Sequence, residues 1–263
     1  MSDPRRNIPP GSTIAVWFSC GAASAVAAKM TIEKYGNDCK IRIINNPIAE
    51  EHPDNKRFLK DIQKWIDVDI EESKNPKYPK ASCVEIWDRG YMSGPYGAPC
   101  TKELKKNARQ HWEKVNHHDY LVLGFTADEK KRAERFALTE RDTLIPILVD
   151  YGITKQMCFN IIQNEGIQLP YIYTLGFPNA NCIGCVKAAS PTYWNLVREK
   201  FPQVFKHRAE QSRKIGCRLV KVKGERVFLD ELDPNEKGRD LKDYGVECGI
   251  FCEEPDPEEE CEV

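Results

Sequence analysis

A parallel α/β fold is the class the sequence predicts, and two observations predict it. Apolar runs of strand length alternate with stretches of helix length through the first half of the chain. The first strand passes to the first helix through a turn of small residues, Ser19-Cys20-Gly21-Ala22-Ala23-Ser24.

Residues 14–18 (IAVWF) form a continuous apolar run, as a strand buried on both faces requires. Residues 22–35 read as a helix, with Ala25, Ala28, Met30 and Ile32 among its apolar positions. Residues 40–45 (KIRIIN) are a second strand, stopped by Asn46-Pro47. Residues 55–65 follow as a helix with Phe58, Leu59, Ile62 and Trp65 at i, i+1, i+4 and i+7. A short strand is expected at 68–70, Pro- and Gly-rich loops at 74–79 and 92–99, a basic helix at 101–112 and a buried strand at 120–124. Strands alternating with helices in this way predict a parallel sheet.

Beyond Tyr151 the pattern changes. A helix is expected at 154–165, ending at Gly166, and a loop at 170–185. Residues 192–214 read as helix interrupted by Pro202, which lacks an amide donor. Residues 218–222 and 226–229 flank Lys223-Gly224-Glu225 as a hairpin. The acidic, Pro-containing tail from Glu253 is expected to be disordered.

The 263 residues include 39 Lys+Arg and 40 Asp+Glu, a formal net charge of −1. A uniformly basic nucleic-acid coat is excluded, while a local basic patch is not. The 11 cysteines fall well short of a disulfide-stapled miniprotein, and their odd number cannot all pair within the chain. Residues 1–11 are polar, and the longest apolar runs, such as 22–28, are far below the ~20 residues of a membrane span. A cytoplasmic setting without a membrane partner is expected, where thiols serve as metal ligands, catalysts or core residues.

In an open parallel sheet, ligands sit beyond the carboxyl ends of strands. The turn at 19–24 lies there, where helix amides and their dipole favour an anion. Ser19 and Ser24 offer hydroxyl donors, and no Gly-Lys-Ser/Thr follows to make a Walker A loop. Close packing alone would also place small residues at such a turn.

The S-x-G-x-x-S pattern after a first strand resembles the PP-loop of the N-type ATP pyrophosphatases and adenylylsulfate reductases. Ala23 stands where the pyrophosphatases carry an acid, and Cys20 where they carry a first glycine. The form is closer to the loop of the phosphoadenylylsulfate (PAPS) reductases. Further segments match in order: Asn45 to Asp54 as a strand end with an acidic turn; Gly124-Phe125-Thr126-Ala127-Asp128-Glu129-x-x-Arg132; Tyr171 to Cys185 (YIYTLGFPNANCIGC); and Glu247-Cys248-Gly249-Ile250.

The resemblance implies an adenine-nucleotide alpha-hydrolase-like core with a cysteine-bearing C-terminal extension. The boundaries expected are 12–175 for the PP-loop domain, 176–252 for a cysteine-containing region packed on it, and 253–263 for the tail. It implies nucleotide binding by Ser19, Cys20, Gly21, Ala22, Ser24, Asn45, Gly124, Phe125, Glu129 and Arg132, with Glu129 and Arg132 orienting the substrate. It makes Cys248 the catalytic thiol, attacking the sulfur of an adenylyl sulfate, with thioredoxin or another thiol as reductant.

Cys182-x-x-Cys185 is tight enough for two thiolates to share a metal, and Cys100 precedes a helix whose amides favour thiolate. Spacing alone leaves zinc and an iron–sulfur cluster both open. The resemblance tilts the expectation to [4Fe–4S], with Cys100, Cys182, Cys185 and Cys252 as ligands and Cys248 as the other candidate fourth. The adjacent Cys-Cys pair of the cluster-bearing reductases is missing here. Cys39, Cys83, Cys158, Cys217 and Cys261 read as core or surface residues, and Cys20 as a small residue beside Gly21.

Lys102, Lys105, Lys106 and Arg109 read as a solvated helix face or an anion-binding stretch. His117 and His118 read as surface residues. Two rival readings stand beside the reductase: an ATP-dependent iron–sulfur sulfur transferase acting on a nucleic acid or other acceptor, and a non-catalytic nucleotide- or cluster-binding regulator. A homodimer fits any of the three.

Overall fold

The computed structural model describes residues 7–94 and 97–241. In chain order the elements are β1 (Thr13–Phe18), α1 (Ala22–Tyr35), β2 (Lys40–Asn45), α2 (Asn55–Ile66), β3 (Ile70–Glu72), α3 (Cys83–Trp87), a π-helical run Thr101–Lys106, α4 (Asn107–Val115), β4 (Tyr120–Val122), α5 (Lys130–Thr139), α6 (Ile147–Asp150), α7 (Lys155–Asn164), α8 (Tyr171–Thr174), α9 (Pro191–Lys200), α10 (Pro202–Ile215), β5 (Val220–Val222) and β6 (Glu225–Val227). They fall into two compact units. The first comprises residues 7–47, 53–73 and 110–171, and the second 48–52, 74–109 and 172–241. The division is discontinuous: residues 74–109 belong with the C-terminal part of the chain, whereas the sequence boundary at 175 assigned them to the first domain.

In the first unit the strands form a parallel sheet in the order β3-β2-β1-β4. The α/β class expected from the alternation is therefore present. β1 is central, and Ile14, Ala15, Val16 and Phe18 are fully buried, which explains its unbroken apolar run. The chain builds outward from β1 to β2 and β3, then returns to place β4 on β1's other side. The strand order thus reverses between β1 and β4, where doubly wound sheets open a ligand crevice. Four of the eight buried residues of α1 are alanine, and the helix packs on the sheet and against α2, α6 and α7. A parallel bridge from Leu121 to Leu144 extends the sheet past β4.

Several elements differ from the sequence expectation, among them β4, which ends at Val122, and β6, which begins at Glu225. β3 lies at Ile70–Glu72, not 68–70, because Asp67 ends α2 in the left-handed region (φ 53°) and the next residues are spent on the turn. The basic helix expected at 101–112 is a π-helical run followed by α4, and the Asn107 amide donates to the Lys102 carbonyl five residues back. The loop expected at 170–185 contains the short helix α8.

The second unit has its own core, in which Tyr78, Trp87, Met92 and Trp194 are essentially inaccessible. Pro191 and Pro202 occupy the first turns of α9 and α10, where a missing amide costs nothing, so Pro202 separates two helices as expected. β5 and β6 pair antiparallel through Lys223 (φ 49°) and Gly224 (φ 95°). Two positive-φ residues in succession are the signature of a tight hairpin turn. Among the described residues, no helix is long and apolar enough to cross a membrane.

Candidate functional site

The turn after β1 is held by its own backbone and two serines. The Ser24 hydroxyl accepts from the Ser19 amide (3.2 Å) and donates to the Gly21 carbonyl (2.9 Å), and the two serine oxygens lie 3.2 Å apart. Ser24 is 4% exposed and is thus the internal clamp of the turn, while Ser19 is exposed. Cys20 adopts φ 57°, a left-handed conformation costly to a residue with a Cβ. Its thiol is buried and accepts from the Asn45 amide (3.4 Å), which also donates to the Phe18 carbonyl (2.8 Å). Asn45 therefore ties β2 to the strained corner of the turn. Gly21 is the N-cap of α1, with no side-chain cap and no acid in the first turn, so no carboxylate of that turn opposes an anion there.

Gly124, just past β4, is required by packing. A Cβ there would lie 2.8 Å from the Ser24 amide nitrogen and 2.9 Å from its Cα. Phe125 is buried, its ring packed on Phe136 (5.8 Å) and beneath the Arg132 guanidinium (5.0 Å). Glu129 accepts from the Thr126 amide (3.1 Å) and hydroxyl (3.2 Å) and pairs with Arg132 (2.8 Å). The Glu129-x-x-Arg132 segment thus stabilises the start of its own helix. Ser19, Cys20, Gly21, Ala22, Ser24, Asn45, Gly124, Phe125, Glu129 and Arg132 all fall within the first unit.

The second unit gathers the thiols. Cys83, Cys100, Cys182 and Cys185, each 8% exposed or less, line one pocket together with Ile48, Trp87, Thr101, Lys105 and Lys187. The pocket is small: its interior is about 10 Å³, on the order of the space one water needs. Cys83 stands within hydrogen-bonding reach of Cys100 and Cys182, and those contacts, together with burial, push its thiol well above the ordinary range. Among the described residues, no three Cys, His, Asp or Glu side chains are set closely enough to hold a metal ion as they stand.

Glu50 assembles this pocket. Its carboxylate accepts from the Cys83 amide (2.8 Å), the Ser82 hydroxyl (2.6 Å) and the Val84 amide (3.3 Å), capping α3. Its carbonyl accepts from the Ile183 amide (2.9 Å) inside the Cys182-x-x-Cys185 turn. Gly184 takes φ 68° in that turn, and a Cβ there would press on Val204 at 3.1 Å. The Tyr193 hydroxyl accepts from the Cys185 amide (2.9 Å) and donates to the Cys182 carbonyl (3.4 Å). The i→i−5 bonding of the π-helical run brings residues five apart into line, so Cys100 and Lys105 reach the same pocket.

Several expectations need correction. Cys83 is not an isolated core cysteine but a member of the thiol pocket. The acidic turn supplies, through Glu50, the cap and carbonyl that hold two cysteine segments. Lys105 and Arg109 are buried (6% and 3% exposed), so the basic stretch is not one solvated face. His117 is exposed, but the His118 side chain is only 10% exposed, packs on Trp112, and is held below its ordinary pKa by burial. Cys39 and Cys158 are buried core thiols, and burial pushes Cys158 up to about 12. Cys248 and Cys252 lie outside the described residues. The signal that would have found Cys83 is Ser82-Cys83 opening a short helix after a Pro-rich loop, the same setting as Cys100.

No family model matches the chain, and no curated protein matches it.

Proposed function

We propose that the chain is a sulfonucleotide reductase-like enzyme of the PP-loop superfamily, similar to the PAPS reductases. In this reading Cys83, Cys100, Cys182 and Cys185 hold a [4Fe–4S] cluster. The observation that carries it is the convergence of four thiols, from two separate stretches of chain, on one pocket. Four thiolates are the usual donor set of such a cluster, and four also close a structural zinc site. The donor chemistry fits either group. The small interior means that the sulfurs must spread when a cluster is taken up. When bound, the cluster supplies a redox-active centre and a covalent staple between the cysteine segments.

A fourth ligand at Cys83 frees Cys248 and Cys252 from ligation. It also leaves no iron open for a sulfur atom, which favours the reductase over a sulfur transferase. In the proposed chemistry the turn at 19–24 binds the nucleotide phosphates through α1 amides. The Cys248 thiolate attacks the sulfur of the adenylyl sulfate, a sulfur–sulfur bond forms, and the sulfur–oxygen bond to the nucleotide phosphate breaks. The nucleotide leaves as a phosphate monoester. A dithiol such as thioredoxin then attacks the Cys248 sulfur, is itself oxidised to a disulfide, and releases sulfite.

Sulfite release from APS and PAPS, measured anaerobically with thioredoxin, tests this. Wild-type protein is expected to turn over, and Cys248→Ser to lose all measurable release. Release at the wild-type rate by Cys248→Ser overturns the mechanism. Iron, sulfide and zinc analysis of the same protein should give about four irons per chain, and zinc alone would replace the cluster in the proposal.

A further inference from the structure

Arg208, on α10, is only 2% exposed, yet among the described residues it makes no salt bridge. Its guanidinium lies 4.1 Å over the Trp87 ring, on the helix that Cys83 opens. One nitrogen donates to the Gln211 side chain, and its Nε is buried without a hydrogen-bond partner. A Cβ placed on Gly184, between Cys182 and Cys185, would sit 3.6 Å from that same Nε. Cys83 and Cys182 are close enough to act on Arg208 electrostatically, as is Glu50, whose carboxylate is already engaged at the start of α3.

A guanidinium cannot shed its proton in a protein, so burying it without an anion is costly. Four thiolates around a metal centre carry net negative charge, and they lie within electrostatic reach together with Glu50, whose carboxylate is committed to the α3 amides. We propose that Arg208 is the positioning residue and fixed countercharge of the four-cysteine site, stabilising its thiolate-bound form from beneath the Cys182-x-x-Cys185 turn. Trp87 supports the planar face of the guanidinium, and Gln211 fixes its rotation by accepting from one edge. The inference rests on the reading of these thiols as metal ligands.

Cobalt(II) is the probe, because its thiolate charge-transfer bands report ligation without any turnover. Full-length protein, freed of metal under anaerobic conditions, is titrated with cobalt(II) against a competing chelator. Wild-type protein is expected to show thiolate-bound cobalt. Arg208→Gln should weaken the affinity about 10–100-fold, the usual effect of removing a partner outside the ligand shell. Arg208→Lys keeps the charge and should stay within about threefold of wild type. Circular dichroism checks that each variant is folded. Equal affinity for folded Arg208→Gln and wild type overturns the countercharge role and leaves the ligand reading standing. A tenfold loss in folded Arg208→Lys also overturns it, and this holds even where Arg208→Gln fails to fold. Absence of thiolate-bound cobalt from wild-type protein overturns the ligand reading itself, and the inference with it.

Discussion

The turn after β1 and the thiol pocket are built in opposite ways. The turn is local: Ser19, Gly21 and Ser24 bond to one another within six residues, with Asn45 and Gly124 closing it from β2 and from just past β4. The pocket is assembled from parts: Cys83 and Cys100 sit on one stretch of chain, Cys182 and Cys185 some eighty residues on, and Glu50 on a third. A local device tolerates loss of one side chain because its backbone keeps the shape. An assembled four-donor site has no spare part. Single substitutions should therefore be graded in the turn and all-or-none in the pocket.

If the pocket holds the proposed cluster, the largest effect expected is loss of bound iron. Cys83→Ser and Cys185→Ser should each reduce iron per chain to near background, while Cys158→Ser and Cys252→Ser retain it. Elemental analysis of anaerobically purified protein checks this. If Cys252→Ser loses iron and Cys83→Ser keeps it, the site draws on the C-terminal segment instead, and the four-thiol pocket is not the metal site.

In the turn, the severe change is at the glycine. Gly124→Ala would force a methyl group against the Ser24 backbone, which cannot yield as a side-chain tip can. Overpacking of this kind costs about 1–3 kcal/mol, whereas Ser24→Ala, losing side-chain hydrogen bonds, should cost about 0.5–1.5 kcal/mol. Urea denaturation would rank the two. Equal midpoints for Gly124→Ala and wild type would show that β4 and α1 can separate freely, and the tight closure of the turn would be refuted.

The same contrast explains what the sequence made legible. Strand and helix identities in the first unit follow from apolar periodicity, and residues 22–35 and 40–45 were located to the residue because each carries its own signal. The π-helical run was not legible, since propensity does not distinguish i→i−5 from i→i−4 bonding in residues 101–106. Cys83 was missed because its partners are distant in sequence, and one thiol in a loop carries no spacing information. Glu50 was noticed as an acid in a turn, but its carboxylate has meaning only once α3 is placed against it. Glu129 and Arg132, expected to orient a substrate, also bond to each other across one helical turn, a contact that the motif alone did not announce.

Glu50 offers an intermediate test. Glu50→Ala strips the cap from α3 and leaves the Cys83 amide without its acceptor, an expected cost of about 1–3 kcal/mol. The carbonyl that holds the Cys182-x-x-Cys185 turn is retained. Iron should therefore bind but exchange faster to a chelator than in wild type. Unchanged stability together with unchanged exchange would mean that α3 does not need this cap.

The smallest effect belongs to the β2–β3 side of the sheet in the first unit, where a half-buried ion pair joins the two strands. Arg42 on β2 donates to both oxygens of Glu71 on β3 (2.7 and 2.6 Å), and Trp112 donates to one of them (3.2 Å) with its ring 4.6 Å from the guanidinium. The Arg42 hydrogen bonds, more than that of Trp112, hold the Glu71 carboxyl below the ordinary glutamate range against the opposing effect of burial. A carboxyl depressed in the folded state binds its proton more tightly when unfolded. Its contribution is complete above the unfolded value of about 4.3 and is lost as pH falls through the lower folded value. The Glu71 side chain is 35% exposed, so solvent screens the pair and the contribution should be about 0.2–1 kcal/mol. Glu71→Gln should therefore trail wild type slightly in urea at about pH 7, and the two midpoints should converge at about pH 3. A gap that stays equally wide at the lower pH would trace the loss to packing on Trp112. The first unit would then depend on assembled contacts at its edge much as the thiol pocket does.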